Sequence, residues 1–200
     1  GINGKLIQLI IEDNAATNEI AVNALNKVMT EKPVALILGS TSSQTMAMSP
    51  IIQKAKLTTI IEGSSPTLTG HGNQWLFSTR VTDEFAAIAA VRYAVKDLGK
   101  TKIAVFHAAE EFGTSTAPII VSTAKELGLT PVAVVSAPST DKDVSAQLLQ
   151  IKNAGADVIL SWVLPAPGIL LAQQMKQLKM DIPLVGNPVF ALSQVLSLMT

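Results

Sequence analysis

Two groups of hydroxyl-bearing residues stand directly behind apolar runs. "GSTSSQT", Gly39 to Thr45, follows "PVALIL" and carries five hydroxyls in the six positions after its glycine. "GSSPT", Gly63 to Thr67, follows "TTIIE" in the same way. In an open α/β sheet, ligands bind beyond the carboxyl ends of the strands, beside the first turns of the following helices. Backbone amides and serine hydroxyls gathered at such a place hold an anion. A carboxylate suits this arrangement, and a phosphate is the alternative. The same residue types also cap helices without binding anything. Two adjacent loops of one make-up favour the anion site over capping for the pair. Neither loop follows the Walker A pattern, since no lysine succeeds a glycine, and neither follows G-x-G-x-x-G.

The second half of the chain offers different groups at its strand ends. "HAAEEFG", "WVLPAPG" and "GNP" each follow an apolar run and place Phe112, Trp162, Leu164 and Pro188 there. Any one of these has an ordinary explanation as core. Together they make an apolar wall to set against the polar loops, the composition of a small-molecule cleft. Catalytic chemistry has little to draw on. The chain has two histidines, His71 in a glycine-rich loop and His107 at a strand end, and no G-x-S-x-G elbow. Glu110–Glu111 reads as a solvated pair in a loop. No metal site or cofactor motif is expected, and the chain is not expected to be an enzyme.

Composition narrows the partners. Fifteen basic and 15 acidic residues balance to a net charge of zero with no basic block, so nucleic acid has no electrostatic footprint. Polar residues or prolines interrupt the apolar runs well short of the ~18 residues of a membrane span. The absence of cysteine excludes disulfides, thiolate catalysis and cysteine-ligated zinc.

The elements that must position these residues alternate between strand and helix. "KLIQLIIED", Lys5 to Asp13, reads as a strand, followed by a helix over 14–30 capped by Asn14. "VALILG", a helix to Lys56, "LTTIIEG" and the extended "WLFSTRV" follow. "TDEFAAIAAVRYAVKDLGK" is the clearest helix, with Thr82 as its cap, Asp83 and Glu84 in its first turn and Gly99 as its stop. Strands "TKIAVFH", "TPVAVVSAP", "ADVILSWV" and "IPLVG" then alternate with helices over about 116–127, 144–154 and 168–179, and a last helical piece begins near Leu192. Continuous apolar strands between helices imply parallel sheets covered on both faces. The loop-rich stretch before Trp75 suggests two lobes, 1–81 and 82–200, with the crossing near Thr79–Asp83.

In this order, "GINGKLIQLIIEDNAATNEIAVNALNKVM", "GSTSSQT", "TTIIEGSSPTLTG", "FSTRVTDEFAAIAAVRYAVKDLG", "KIAVFHAAEEFG" and "DVSAQLLQIKNAGADVILSW" resemble the type I periplasmic solute-binding proteins. The resemblance is to the branch serving branched-chain amino-acid ABC transporters, and it spans essentially the whole chain. It implies an α/β fold of two Rossmann-like lobes with parallel sheets, closing about a hinge on a small ligand that passes to a membrane permease. It implies a periplasmic or extracellular location. A sensory domain of the same fold is the competing role.

The resemblance also assigns residues. It implies a ligand-facing hydroxyl at Ser43, a hydroxyl and amide at Ser64, and a backbone carbonyl at Glu62. From the second lobe it implies an aromatic at Phe112, usually tyrosine, and another near Leu164, where Trp162 is the nearby substitute. The amino-acid binders place a carboxylate at the position of Pro188 to meet the ligand's ammonium. Its absence here leads to the expectation of a carboxylate ligand without an ammonium, an aromatic acid or branched oxo-acid. Branched-chain amino acids are the alternative if the Glu62 side chain supplies the charge. Finally, the family's chain is longer at both ends, with a first strand between those at Leu6–Glu12 and Val34–Leu38, so the first lobe is expected to be incomplete. It should either pair its remaining strands directly or borrow from a second copy in a strand-exchanged dimer.

Overall fold

A computed structural model of the protein describes residues 1, 3–70 and 72–199. His71 lies outside the described residues. The chain divides into two compact units, Gly1–Gly63 with Leu68–Arg80, and Ser64–Thr67 with Val81–Thr200.

In the first unit, helix α1 (Asn18–Thr30) is followed by strand β1 (Leu36–Leu38), helix α2 (Ser42–Ala55), strand β2 (Thr59–Ile61), the short helix α3 (Pro66–Gly70) and strand β3 (Leu76–Ser78). The strands form a parallel sheet in the order β1-β2-β3. Its core collects Ala21 and Leu25 of α1, Met48 and Ile52 of α2, and Leu36, Ile61 and Leu76 of the strands, with Trp75 half-buried against them. This sheet is covered on one face only. Along each strand the burial alternates, leaving Ile37 78% and Phe77 52% exposed beside the exposed Ile60. The expectation of cover on both faces fails for this unit.

The expected strand over Lys5–Asp13 also fails: residues 6–13 belong to no strand. Leu6 is 93% and Ile11 84% exposed, although fully burying such a side chain is worth about 1.5–3 kcal/mol. An apolar run becomes a strand only when a neighbour takes its backbone groups; among the described residues, 6–13 join neither sheet and do not pair directly with β1. Asn14 does not cap α1 either. Thr17 does, its side chain accepting from the Ile20 amide, and a turn with Ala15 and Ala16 at φ 44° and 55° precedes it.

The second unit runs through α4 (Asp83–Arg92), β4 (Ile103–Ala108), α5 (Glu111–Glu126), β5 (Ala133–Ala137), α6 (Ser145–Asn153), β6 (Val158–Trp162), α7 (Pro165–Gln177), β7 (Leu184–Gly186) and α8 (Ser193–Met199). Its parallel sheet has the order β5-β4-β6-β7. Helices α4 and α5 pack on one face around Val91, Val105, Ile120, Leu160 and Trp162. Helices α6 and α7 pack on the other around Phe106, Leu148, Ile151, Ile159 and Leu171. Central strands buried on both sides are mostly apolar, as β4 and β6 are apart from His107 and Ser161. Thr82 precedes α4 but makes no side-chain cap, and a π-helical turn, Tyr93–Asp97, finishes that helix before Gly99 at φ 65°.

Candidate ligand-binding site

Parallel pairing of β1 with β2 aligns Leu38 with Ile61, so the hydroxyl-rich loop after β1 runs beside the loop after β2. Gly63 makes the contact close. A Cβ there would lie 3.3 Å from Ser42 Cα and 2.7 Å from Leu68 Cδ1. The carboxylate of exposed Glu62 comes beside Gly39, with Oε2 4.0 Å from where a Cβ would stand.

Helix α2 opens with a capping box. Thr41 Oγ1 accepts from the Gln44 amide at 3.4 Å, and the Gln44 side chain accepts from the Thr41 amide at 3.0 Å. The box keeps Gln44 away from any ligand, because its Nε2 also donates to Asn14 Oδ1 and to the Thr17 carbonyl. Asn14 in turn donates to Ser40 Oγ at 3.2 Å. Ser40, Thr41 and Gln44 therefore build the loop. Ser42 is buried and Ser43 half-buried in the first turn, where the helix dipole favours negative charge.

The loop after β2 is organised differently. Ser64 is buried, and its hydroxyl donates to Asp83 Oδ2 at 2.7 Å while its carbonyl accepts from the Asp83 amide at 2.9 Å. The hydroxyl expected to meet a ligand has its proton committed to Asp83. Ser65 and Thr67 turn toward Glu111 in the first turn of α5, with Thr67 Oγ1 donating to Oε1 at 2.5 Å and Ser65 Oγ at 3.1 Å. The residues 64–67 are thus fastened to α4 and α5 by side chains of opposite hydrogen-bonding character.

Phe112 and Trp162 correct the apolar-wall expectation. Phe112, buried in the first turn of α5, and Trp162, 0% exposed, belong to the core formed by β4, β6, α4 and α5. Trp162 Nε1 is buried without a hydrogen-bond partner. The resemblance placed these aromatics by position. The alternation along β6 turns Trp162 inward, while the close approach of Gly113 to Ala108 seats Phe112 against the strand: a Cβ on Gly113 would stand 2.2 Å from the Ala108 carbonyl oxygen. Leu164, immediately before α7, is half-buried against the same core. Pro188 is exposed and opens a short 3₁₀ turn, Pro188–Ala191. Beside it, buried Asn187 donates through Nδ2 to the Val163 carbonyl at 3.1 Å and through its amide to the Ser161 carbonyl.

Glu110 and Glu111 are not the solvated pair expected. Both are half-buried. Glu110 accepts from the Ser139 amide at 2.7 Å and the Ser139 hydroxyl at 2.9 Å, holding the turn after β5. Their partners lie 29 to 46 residues away, so nothing local in the sequence marks them. His107, half-buried, is engaged through Nδ1 with the Ala108 carbonyl at 2.8 Å.

Comparison with known proteins places this geometry. Residues 1–198 match the family described as periplasmic binding protein. An amino acid binding protein of Pseudomonas aeruginosa is 29% identical over 180 residues, covering 88% of this chain and 48% of that protein. Among solved structures, a leucine binding protein from Thermotoga maritima superposes with a TM-score of 0.90 at 22% identity, over 98% of this chain and 56% of that one. A solute binding protein of an ABC transporter from Rhodopseudomonas palustris BisB5, in complex with 3,4-dihydroxy benzoic acid, gives 0.83 at 20% identity over 94% and 53%. The chain spans about half the length of the curated relatives it matches.

Proposed function

Because the chain belongs to the periplasmic binding protein family, we propose that it is the ligand-holding part of an extracytoplasmic solute-binding protein that delivers its ligand to an ABC permease. Its ligand is a small carboxylate without an ammonium group, an aromatic or branched acid. The family and fold are those of binding proteins. What supports the ligand class is the make-up of two loops, a hydroxyl-rich one at Ser43 and one at Pro188 that carries no carboxylate. Ser43 stands in the first turn of α2, next to the loop of Glu62 and Gly63, where amides and dipole favour a carboxylate. At the end of β7 stands Pro188, which has no charge to offer an ammonium. Desolvating an ammonium without an anionic partner costs several kcal/mol. The aromatic acid held by the Rhodopseudomonas palustris neighbour is in keeping with this class.

Branched-chain amino acids are the second reading, favoured by one observation: the Glu62 carboxylate lies beside Gly39, close to the anion loop. The leucine and amino acid binding proteins among the relatives agree with it. Isothermal titration with 4-hydroxybenzoate, a branched 2-oxo acid and leucine separates the two. Micromolar binding of either acid, with leucine silent, supports the first reading. Binding of leucine alone overturns it.

A further inference from the structure

Residues 64–67 group with the second unit, although Gly63 before them and Leu68 after them belong to the first. They lie in no strand, and α3, which begins within them, has five residues and is too short to hold itself. Side chains must therefore fix the segment. Its amino end is held by Ser64, whose hydroxyl and carbonyl both bond to Asp83. Its carboxyl end is held by half-buried Glu111 in the first turn of α5. Oε1 of Glu111 accepts from Thr67 Oγ1 at 2.5 Å and from Ser65 Oγ at 3.1 Å. Ser65 shares its proton with Ser115 Oγ, 2.9 Å away and one turn further along α5, and its oxygen accepts from the Thr67 amide at 3.3 Å. The Ser115 proton goes to the Glu111 carbonyl at 2.6 Å. Three hydroxyls thus gather on one turn of helix.

We propose that Glu111 is a positioning residue for ligand binding. Its carboxylate sets the conformation of residues 64–67 and, across a single peptide bond, that of the Glu62–Gly63 loop assigned to the ligand under the proposed function, on which this role rests. The direction of the hydrogen bonds calls for a carboxylate. Thr67 and Ser65 both donate to the same oxygen, and an ionised acceptor holds such donors more strongly than a neutral one. Glutamine at this position keeps the length but brings a neutral oxygen and an amide nitrogen that only donates. The segment would then have to be ordered at the moment of binding, and that ordering is subtracted from affinity. Glu110 makes the contrast within the same turn. Its two bonds go to the amide and hydroxyl of Ser139, so it holds the turn after β5 and not residues 64–67.

Two measurements test this role separately from the ligand reading. In Glu111→Gln, hydrogen exchange of the Thr67 amide should accelerate by about tenfold while that of β4 and β6 stays unchanged. Isothermal titration uses whichever of 4-hydroxybenzoate, a branched 2-oxo acid and leucine binds the unmodified chain. The dissociation constant should rise roughly tenfold in Glu111→Gln and in Thr67→Val, and no further in the double variant, because both remove the same bond. Thr67→Ser, which keeps the hydroxyl, should bind as the unmodified chain does. Glu110→Gln should lower stability and leave the affinity unchanged. An unaltered Thr67 exchange rate in Glu111→Gln overturns the proposal, as does faster exchange with an unaltered dissociation constant. An equal loss of affinity in Glu110→Gln also overturns it, since general loosening of the helix would then be the cause. Silence of all three probes with the unmodified chain tells against the ligand reading, and the Thr67 exchange rate then decides on Glu111 alone.

Discussion

Replacing Ser64 by alanine takes away the hydroxyl that donates to a carboxylate buried in the first turn of α4. A buried charged acceptor that loses such a donor costs about 1–3 kcal/mol, so Ser64→Ala should lower the unfolding free energy of the second unit by that amount, read as a lower denaturant midpoint. Ser43→Ala, in the loop proposed to hold the ligand, is expected to weaken ligand affinity by about 1.5–3 kcal/mol, the range for a hydrogen bond to a charged group. Denaturation and titration of both variants check the contrast. It also measures what the sequence could tell about single residues. Ser43 and Ser64 have the same type and the same place after a strand, and the bond of Ser64 to the distant Asp83 could not be read from either. Glu111 was illegible for the same reason, its hydroxyl partners Ser65 and Thr67 lying 46 and 44 residues earlier.

Elements were legible wherever their partners were certain to exist. Strands β4 and β6 declare themselves through the apolar runs Ile103–Phe106 and Val158–Leu160 because helices cover both of their faces. The Lys5–Asp13 run carries the same pattern, but residues 6–13 join neither sheet among the described residues. Helix α5 begins at Glu111, five residues before the expected start, because Gly113 reads as a breaker in sequence. In the structure that glycine lets the first turn of the helix press against the Ala108 backbone. At the start of α6 the sequence gives a testable electrostatic detail. Asp143 has its carboxyl held below the usual range, first by the Ser145 hydroxyl and then by the Ser145 amide, which donates to Oδ1 at 2.8 Å. A group whose folded pKa is depressed contributes stability above its unfolded value and loses it as the pH falls through the folded value. The chemical shift of the Asp143 carboxyl should therefore titrate below that of a free aspartate. Asp143→Asn should remove this acid-side loss from the pH dependence of stability, whereas a wild-type-like profile in the variant would contradict the contribution of the Asp143–Ser145 hydrogen bonds.

At the scale of the molecule, the two units differ in how completely their sheets are enclosed. Strands β1 to β3 are three residues each and have a bare face, while β4 and β6 are six and five residues long and lie between helix layers. Amide exchange should consequently be slowest in β4 and β6 and faster by orders of magnitude in β1 to β3; equal protection would mean that the units open together. The parallel α/β make-up of the chain was legible because strand–helix alternation is repeated along it. The uncovered face was not, because Ile37 and Phe77 look in sequence like any other core residue. The placement of the tryptophans gives this asymmetry an optical reporter. Trp75 sits half-buried in the first unit and Trp162 fully enclosed in the second, and the chain has no other. Each unit carries its own intrinsic fluorophore, so Trp75→Phe and Trp162→Phe proteins let the melting of either unit be followed by emission colour without attaching any dye.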